Sequence, residues 1–563
     1  MSNERERAKK RICSCRAGRI EITLIWSTVL VAVLLGIGCS RVTLSGSEIH
    51  RRESLPGVLR MAYPVEPVSL NPLPLEGATA SDVTNLIYSG MWTYDDKGRL
   101  VPDLAVSIPT IANGGISPDG HTIVIHLRRG VTWQDGAPLT SHDVVFTFRA
   151  VRNPANIVPT REYWEPIAAV DSPDSHTLVF HLDHPAGTFL YALSSFITPI
   201  LPAHLLESYS DLNHIPFNTR PVGSGPFQVV EWVHGDHITL RANQHYWRGP
   251  PKLQTIVLKV VSDSNTIVTE LESGELDAWL RADRGKFPEL RRLSGYRILT
   301  APQIAFVTLD FNLRDPILAD IQVRRAIAAA IDRQRLIRTI AFGLGHPVEA
   351  DQPLQGWAYN PHVPRAAYEP TAARRLLDKA GWTIIGAHGI RSKRNQSLEL
   401  QIAVSTTPSE LSRVAALIQE QLRAVGIATF IKMYPRELIS ARAQYGGIMY
   451  SGHYQMAVSS WQNNDDPDDY SGYGCAQFAP AGQNWNFWCD RRADGAMRDA
   501  LNTFDQKRRK RDYAIVQEEI AAQLPAFFLW QSDRVDVLSD RFRGYTPSFD
   551  PGGIWNAWNW SMK

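Results

Sequence analysis

Hydrophobic residues recur along the chain with two different spacings, one typical of strands and one typical of helices. Apolar and polar residues alternate with a period of two over 121–127 and 177–182, which predicts strands with one buried face. Apolar residues recur every three or four positions over 321–340 and 409–425, which predicts amphipathic helices. Because no segment repeats in tandem, the pattern predicts a mixed α/β fold. Its early strands and a helix over 144–151 suggest a small α/β subdomain at about 97–200.

The C-terminal third continues the mixture of elements. The pattern predicts a helix over 513–524 and separate strands over 526–530 and 535–538. Another strand is predicted over 454–459, and its end would deliver Trp461 to the loop that follows.

The stretch 461–489 fits neither period. It holds three Trp, two Tyr, two Phe and four Asp in 29 residues, and its Asp and Gly residues break it into turns. Such a loop is costly to expose and poorly suited to a core. We interpret it as the wall of a ligand cleft, with rings for stacking and carboxylates for donors. The alternative is a structural loop that is closed by a disulfide and packs on its own rings.

The N-terminus has the pattern of an export signal. A basic segment is followed by 17 uncharged residues over 22–38 and then by Cys39, which predicts a secretory signal peptide over 1–38. An uncleaved transmembrane anchor, which needs about 20 apolar residues, is the alternative. The GIGC sequence resembles a bacterial lipoprotein cleavage box, although Gly36 stands where the box usually has Leu. This resemblance implies lipidation at Cys39, a tether over 39–56 and a membrane-anchored body in the cell envelope, outside the cytoplasm.

Cysteine usage follows from that signal. Cleavage would remove Cys13 and Cys15, and lipid would occupy Cys39. Cys475 and Cys489 would then remain, and export favours a disulfide between them.

The length of the chain indicates more than one lobe, and its charge argues against nucleic-acid binding. A chain of 563 residues exceeds one ordinary hydrophobic core, so at least two lobes are expected. The net charge is +2, but residues 1–38 contain seven Lys or Arg and three Glu, which leaves −2 on the remainder. A near-neutral body argues against nucleic acid as a partner, because phosphate binding needs a dense basic face.

The sequence offers little for catalysis. It lacks a Gly-rich phosphate loop, an HExxH motif, a GxSxG elbow and CxxC zinc spacing. The Asp pairs at 465–466 and 468–469 have no recognisable acid or base partner. We therefore expect a protein that is not an enzyme and needs neither a metal nor a cofactor.

Nine short motifs occur in order along the chain: EPVSLNP (66–72), NLIYSGMWTYDDKG (85–98), PDLA (102–105), HLRRGVTWQDGAPLTSHDVVFTF (126–148), PVGSGPF (221–227), LRANQHYWRGPPKL (240–253), SGELDA (273–278), LDFNLRDP (309–316) and VRRAIAAAIDR (323–333). In this order they resemble the family 5 extracytoplasmic solute-binding proteins of peptide and nickel ABC transporters, the oligopeptide- and dipeptide-binding group. The resemblance covers nearly the whole mature chain.

The resemblance implies a two-lobed α/β fold like that of type II, cluster C-like periplasmic binding proteins. A small α/β subdomain would be inserted in the first lobe at 97–200. The expected limits are 57–96, 201–290 and 530–563 for the first lobe and 295–525 for the second, with a hinge near 285–300 and 520–532.

The resemblance also implies site residues. Trp461 stands where family members carry a cleft Trp, and in peptide binders an Asp shortly before the following Pro meets the ligand amine. Here Asn463 holds that place, with Asn464 beside it, in a loop that is one residue shorter. Because an amide cannot neutralise an ammonium group, either Asp465 or Asp466 replaces the acid or the ligand lacks a free amine.

The same resemblance implies two further site residues, Trp485 and Arg413. The segment before Cys489, which contains Trp485, resembles the disulfide loop of dipeptide binders. Arg413 lies near a place where such proteins offer an arginine to the ligand carboxylate. The alternative for Arg413 is a solvated position on its helix.

The implied function is that of a substrate-binding lipoprotein of an ABC importer. As a monomer it would capture a peptide between its lobes, close, and deliver it to a permease served by an ATPase. Two alternatives stay open. The cargo could be a sugar, a metal chelate or an amine-blocked peptide, or the protein could be a membrane-tethered sensor or chaperone without transport.

Overall fold

The computed structural model describes residues 55–74, 78–463, 466–547 and 554–563. The expected signal peptide, Cys39 and the tether up to residue 54 lie outside the described residues, as do Asn464 and Asp465.

The described strands are β1 (Val58–Tyr63), β2 (Trp92–Tyr94), β3 (Leu100–Pro102), β4 (Thr122–His126), β5 (Ile167–Asp174), β6 (Thr177–Leu182), β7 (Phe227–Val233), β8 (His237–Ala242), β9 (Thr255–Val260), β10 (Ala278–Trp279), β11 (Tyr296–Phe311), β12 (Gly345–His346), β13 (Ile384–Ile385), β14 (Arg391–Lys393), β15 (Gln396–Ser397), β16 (Glu399–Ser405), β17 (Ala428–Tyr434), β18 (Met456–Gln462), β19 (Ala526–Ser539), β20 (Phe542–Arg543) and β21 (Ser561–Met562).

The described α-helices are α1 (Ala78–Ile87), α2 (Ser141–Arg152), α3 (Phe189–Ala192), α4 (Ala203–Leu206), α5 (Ser264–Ser273), α6 (Phe287–Leu290), α7 (Ile321–Ala330), α8 (Arg333–Thr339), α9 (Pro370–Lys379), α10 (Ser409–Arg423), α11 (Arg436–Ser440), α12 (Tyr470–Tyr473), α13 (Arg491–Leu501) and α14 (Gln506–Gln523).

The main sheet contains eleven strands. Its order is β17-β16-β18-β11-β19-β10-β1-β9-β8-β7, and β12 pairs with β19 beside that path. β1 pairs in parallel with both β9 and β10, and β8 pairs antiparallel with β7 and β9. Strands from the early and late parts of the chain therefore share one hydrogen-bonded sheet.

Two long strands cross from one half of this sheet to the other. β11 has 16 residues and β19 has 14, and they pair antiparallel from Tyr296 with Ser539 to Asp310 with Ala526. Their register shifts between Pro302 and Phe306. β1 and β7–β10 lie on one side of the pair and β16–β18 on the other, so β11 and β19 connect the two halves.

Separate hydrophobic cores lie in the two halves. One core joins β1 and β7–β9 to the strands β4–β6 and to the C-terminal Trp560. The other packs β16 and β18 against α7 and α10. The three-stranded sheet β4-β6-β5 is separate from the main sheet but shares the first core. This arrangement confirms the two-lobed α/β fold with an inserted subdomain, while the expected domain limits stay a prediction.

The single helix predicted over 321–340 is wrong. α7 ends at Ala330, because Ile331 is extended with φ −101° and ψ 115°. Asp332 then caps α8, since its side chain accepts a hydrogen bond from the backbone N–H of Arg335. The helical spacing of apolar residues continues through this break, so the spacing alone did not predict where α7 ends.

The two strands predicted over 526–530 and 535–538 are one strand, β19. The polar residues between them look like a loop in the sequence but are buried. Gln531 donates to the carbonyl of Gln303, Asp533 accepts from His346, and Arg534 donates to Asp536. These bonds satisfy the side chains that suggested a loop.

Candidate ligand-binding site

Trp461 lies within β18 rather than in the loop after it, which corrects the predicted end of that strand at 459. It pairs with Phe306 of β11, at the register shift between the two halves of the sheet. The half-buried Trp461 ring meets Trp485 edge-on at a centroid distance of 5.8 Å and Tyr473 at 6.1 Å. The structure therefore brings together two of the tryptophans predicted for the site, Trp461 and Trp485.

A disulfide fixes the loop that carries Trp485. Cys475 and Cys489 are bonded, with their Cα atoms 4.7 Å apart. Inside the loop, the Asn484 side-chain amide donates to the carbonyls of Gly474 and Trp488 at 3.0 and 2.7 Å. These bonds hold both ends of the loop, which positions Trp485 against Trp461.

Asp310 lies beneath this ring cluster. Its buried carboxylate accepts hydrogen bonds from Thr308 Oγ1 at 3.0 Å and from Ser459 Oγ, and the indole N–H of Trp485 lies at 3.5 Å. Burial raises the pKa of Asp310. Asp310 was not among the residues expected for the site, although it belongs to the LDFNLRDP motif at 309–316.

The amide of Asn463 is used for a hydrogen bond within the protein. Asn463 is buried, its backbone N–H donates to the carbonyl of Ile304, and its Nδ2 donates to the carbonyl of Asp351 at 2.9 Å. Asn463 thus joins β18 to the segment at Asp351, a structural use that the resemblance to peptide binders did not imply.

Asp466 forms a buried ion pair. Its Oδ1 accepts a hydrogen bond from Arg509 Nη2 at 2.6 Å, and both side chains are less than a tenth exposed. The charge of Asp466 is therefore neutralised within the protein. Arg509 lies in α14, which the sequence predicted to begin only at residue 513, and no motif pointed to it.

A cavity of about 690 Å³ opens between the insert and the second lobe. Its aromatic lining consists of Tyr94, Tyr191, Trp357 and Phe504. Its polar lining includes Lys97, Arg99, Gln352, Gln355, Asp466 and Arg509. A mixed aromatic and polar lining of this size is typical of a site for a small organic ligand.

The predicted site residues relate differently to this cavity. Asp466 is part of its lining, whereas Trp461 and Trp485 do not line it and belong to the ring cluster above Asp310. Arg413 is exposed on α10 and does not line the cavity. The structure thus places Arg413 on a solvated helix face and does not bring it to the other candidates.

A pair of buried acids supports the cavity wall. Asp351 and Asp469 are at most 2% exposed, and their carboxyl groups meet. The Gln352 amide donates to both carboxylate oxygens of Asp469 at 3.1 and 2.9 Å. Burial raises the pKa of both acids, and the charge of Asp351 raises the pKa of Asp469 further. One shared proton would therefore join the segment at 351–352 to the loop at 466–469.

The first lobe offers a smaller pocket of about 60 Å³ at the carboxyl ends of β1 and β10. Asp82 and Arg281 line it and form an ion pair. The backbone N–H of Arg281 donates to Asp536 Oδ1 at 2.9 Å. Ligands of α/β sheets bind at such strand ends. Arg281 was not among the residues expected for the site, although it follows the SGELDA motif at 273–278 by three residues.

Within residues 55–74, 78–463, 466–547 and 554–563, no helix combines the length and apolar character needed to cross a membrane. Among the same residues, no group of three or more His, Cys, Asp or Glu side chains is arranged to hold a metal ion.

Known proteins similar to this chain include an oligopeptide-binding protein. The oligopeptide-binding protein AppA of Bacillus subtilis is 26% identical over 531 residues, which is 93% of this chain and 95% of AppA. Protein XP55 of Streptomyces lividans is 28% identical over 86% of this chain and 85% of XP55.

Solved structures agree with the sequence relatives. Bacillus subtilis AppA in complex with a nonapeptide superposes with a TM-score of 0.73 at 25% identity, over 90% of this chain and all of AppA. NikZ from Campylobacter jejuni in complex with Ni(L-His) gives a TM-score of 0.74 at 27% identity, over 90% of this chain and all of NikZ. CtaP of Listeria monocytogenes, at 22% identity and a TM-score of 0.80, shows the same fold.

The family model for bacterial extracellular solute-binding proteins, family 5 (middle), matches residues 99–481. Those residues contain the insert, the crossing strand β11 and the disulfide loop as far as residue 481. With two cores joined by β11 and β19 and a cavity between the insert and the second lobe, the chain belongs to the family 5 bacterial extracellular solute-binding proteins.

Proposed function

We propose that this protein is the substrate-binding component of an ABC importer and that it captures a peptide between its two lobes. The observation that carries the proposal is the 690 Å³ cavity, because residues of the insert and of the second lobe both line it. AppA, which resembles this chain over its whole length, was solved with a nonapeptide. A cavity of this kind encloses its ligand only while the two walls are together.

The chemistry of the cavity suits a peptide. Glutamine amides and the backbone can pair with a peptide main chain, and the aromatic rings can take varied side chains. Lys97 at the turn after β2 adds positive charge for carboxylates, whereas Arg99 beside it is paired with Asp95. Recognition of this type tolerates many sequences, because few contacts depend on a particular ligand side chain.

The direct test is to identify the ligand. Residues 40–563 would be purified without denaturation, and small molecules released from the protein would be identified by mass spectrometry. A panel of di- to pentapeptides would then be tested for an increase in melting temperature. We expect peptides in the eluate and a rise for several members of the panel. If no peptide raised the melting temperature, peptide binding would be excluded as the function.

A first prediction concerns Trp461. Replacing Trp461 with Ala removes a half-buried ring beside Trp485, and we expect the affinity for a stabilising peptide to fall by about tenfold or more, which corresponds to about 1.4 kcal/mol. Trp461→Phe should keep most of the affinity, because a ring still packs there. Calorimetry would measure both variants well below their melting temperatures.

The matched control is Tyr445→Ala, which removes an aromatic ring of the same lobe that is 71% exposed. It should leave the affinity unchanged. Equal affinities of the Trp461→Ala variant and the unaltered protein would remove Trp461 from the site.

A second cargo class has one specific observation in its favour. Asn463 is an amide, and it is hydrogen-bonded to the backbone of Asp351. The Asp466 carboxylate is paired with Arg509. Neither residue therefore offers an unpaired carboxylate to a peptide amine. An amine-blocked peptide, a sugar or a metal chelate would need no such acid, and NikZ was solved with Ni(L-His). The ligand panel should therefore include N-acetylated peptides and Ni(L-His) beside the free peptides.

The proposal extends to the cell envelope. We infer that the signal peptide is cleaved before Cys39, that lipid on Cys39 anchors the protein, and that it serves a permease and its ATPase. The GIGC sequence at 36–39 supports lipidation. Metabolic labelling with a fatty-acid analogue should mark the full chain and not the Cys39→Ser variant. Labelling of that variant at the same level would contradict the anchor.

A further inference from the structure

We propose that Arg509 is a positioning residue that couples the ligand-facing segment at Asp466 to closure of the insert, through Gly187. This inference rests on the proposed function, because it concerns how the same cavity is closed around its ligand. It adds a specific contact between the lobes, made by one side chain and one glycine.

Arg509 touches both walls of the cavity. Its Nη2 donates to Asp466 Oδ1 at 2.6 Å, on the second lobe, and its Nη1 donates to the carbonyl of Gly187 at 3.2 Å, in the insert. Its guanidinium lies over the ring of Trp357 at 5.4 Å from the centroid. All four residues line the cavity, so a single cation bridges the opening from one side to the other.

The site on the insert accepts only glycine. The backbone N–H of Gly187 donates to the carbonyl of Leu501 at 2.7 Å, at the end of α13. A Cβ atom at Gly187 would lie 2.8 Å from the carbonyl oxygen of Thr503 and 2.9 Å from the Arg509 guanidinium. Such distances are too short for non-bonded atoms, so any side chain would hold the insert away from the second lobe.

The interactions of Arg509 with Asp466 and with Gly187 differ in strength. The pair with Asp466 joins opposite charges and stays within the second lobe, whereas the bond to Gly187 joins a charge to a neutral carbonyl across the cavity. Opening the insert therefore breaks the weaker bond and leaves the ion pair intact. A ligand that shifts Asp466 shifts Arg509 with it, and this changes the free-energy difference between the open and closed states.

The variant that tests this contact is Gly187→Ala. Its matched control is Gly495→Ala, because Gly495 lies in α13, is exposed, and a Cβ there meets nothing within 4 Å. Closure would be followed by electron paramagnetic resonance distances between spin labels at Ser172→Cys, in the insert, and Arg423→Cys, in the second lobe. Both labelled positions are exposed. The probe would be a defined mixture of di- to pentapeptides.

We expect Gly187→Ala to shift the ligand-free distance distribution away from the closed distance and to weaken peptide binding at least about tenfold, in proportion to the loss of closed protein. Gly495→Ala should match the unaltered protein in both measurements. Arg509→Lys keeps a cation for Asp466 but loses the planar fork that reaches two partners. It should weaken binding with the same loss of closed distances, both measured well below the melting temperature of the variant.

Two failures are distinguishable. If no peptide bound to the unaltered protein, the proposed function would fail, while the ligand-free distances would still test the contact. If Gly187→Ala showed the distances and the affinity of the unaltered protein, the contact would have no role in closure. If Gly187→Ala unfolded, Arg509→Lys would decide, and unchanged distances in that variant would overturn the inference.

Discussion

At the scale of single residues, Asp351 and Asp469 link protonation to the cavity wall. Their carboxyl groups meet in a buried position. The negative charge of Asp468 raises the pKa of Asp469 further, and Tyr473 lies near both acids. Two like charges cannot both be ionised there without a large cost. The folded protein therefore holds a proton that the unfolded chain releases near pH 4.

This pair gives a prediction with a definite sign. Between about pH 4 and the raised pKa of the pair, the folded protein binds more protons than the unfolded chain, so the free energy of unfolding falls as pH rises. Asp469→Asn should make that slope less steep, because the amide donates to Asp351 without a titrating proton. Some slope should remain, because burial also raises the pKa of Asp82 to about 7. Urea unfolding followed by tryptophan fluorescence between pH 4 and 8 would measure it.

The control for this experiment is Asp96→Asn, an exposed carboxylate on the turn after β2. It should keep the slope of the unaltered protein. If Asp469→Asn showed the same slope as this control, the two acids would not share a proton.

At the scale of elements, sequence period predicted the elements that have one buried face. β6 has the predicted limits, and α10 begins at the predicted residue, because each alternates between core and solvent. The break between α7 and α8 and the continuity of β19 were missed. Both features depend on a polar side chain that is hydrogen-bonded inside the fold. Asp332 caps α8 by accepting from the backbone N–H of Arg335. Gln531 donates to the carbonyl of Gln303, which is distant in sequence.

The candidate site was predictable only in part for the same reason. Trp461 and Trp485 were found because rings concentrated in one loop are visible in the sequence. Arg509, Gly187 and Asp351 were not found, because each acquires its role from residues more than 40 positions away. No local pattern distinguishes a buried arginine of this kind from the neighbouring arginines and lysines of α14.

The disulfide loop gives a prediction at this scale. Replacing both Cys475 and Cys489 with Ser releases a crosslink that spans 14 residues, and we expect the free energy of unfolding to fall by about 3 kcal/mol. Peptide affinity should fall as well, because Trp485 loses its fixed position against Trp461. Urea unfolding and calorimetry on the double variant would measure the two effects.

A reducing agent provides the internal control. It should lower the stability of the unaltered protein to that of the double variant and leave the double variant unchanged. Equal stability of the two proteins without reductant would show that the crosslink contributes nothing.

At the scale of the whole molecule, an ion pair joins the two lobes. Arg284, in the turn after β10, donates from Nη2 and Nε to Glu410 Oε2 at 3.0 and 3.3 Å, at the start of α10. The side chains are 19% and 10% exposed. Because the pair exists only while the lobes are together, it stabilises the closed form relative to the open form.

We therefore expect Arg284→Ala and Glu410→Ala each to weaken peptide binding, and the double variant to be no weaker than the worse single variant. The coupling energy should be about 0.5–3 kcal/mol. The matched control is Arg335→Ala, which breaks the exposed pair with Glu420 inside the second lobe and should leave affinity unchanged. Additive losses in the double variant would show that the pair does not act as a unit.

The crossing of β11 and β19 also determines how the molecule can move. Two hydrogen-bonded strands bend easily in the direction perpendicular to the sheet. Sliding of one strand along the other would instead break the hydrogen bonds between Tyr296–Phe311 and Ala526–Ser539. The lobes should then swing along one arc without twisting freely. A single pair of labels would therefore suffice to follow the whole motion, and labels on different pairs should report the same rate.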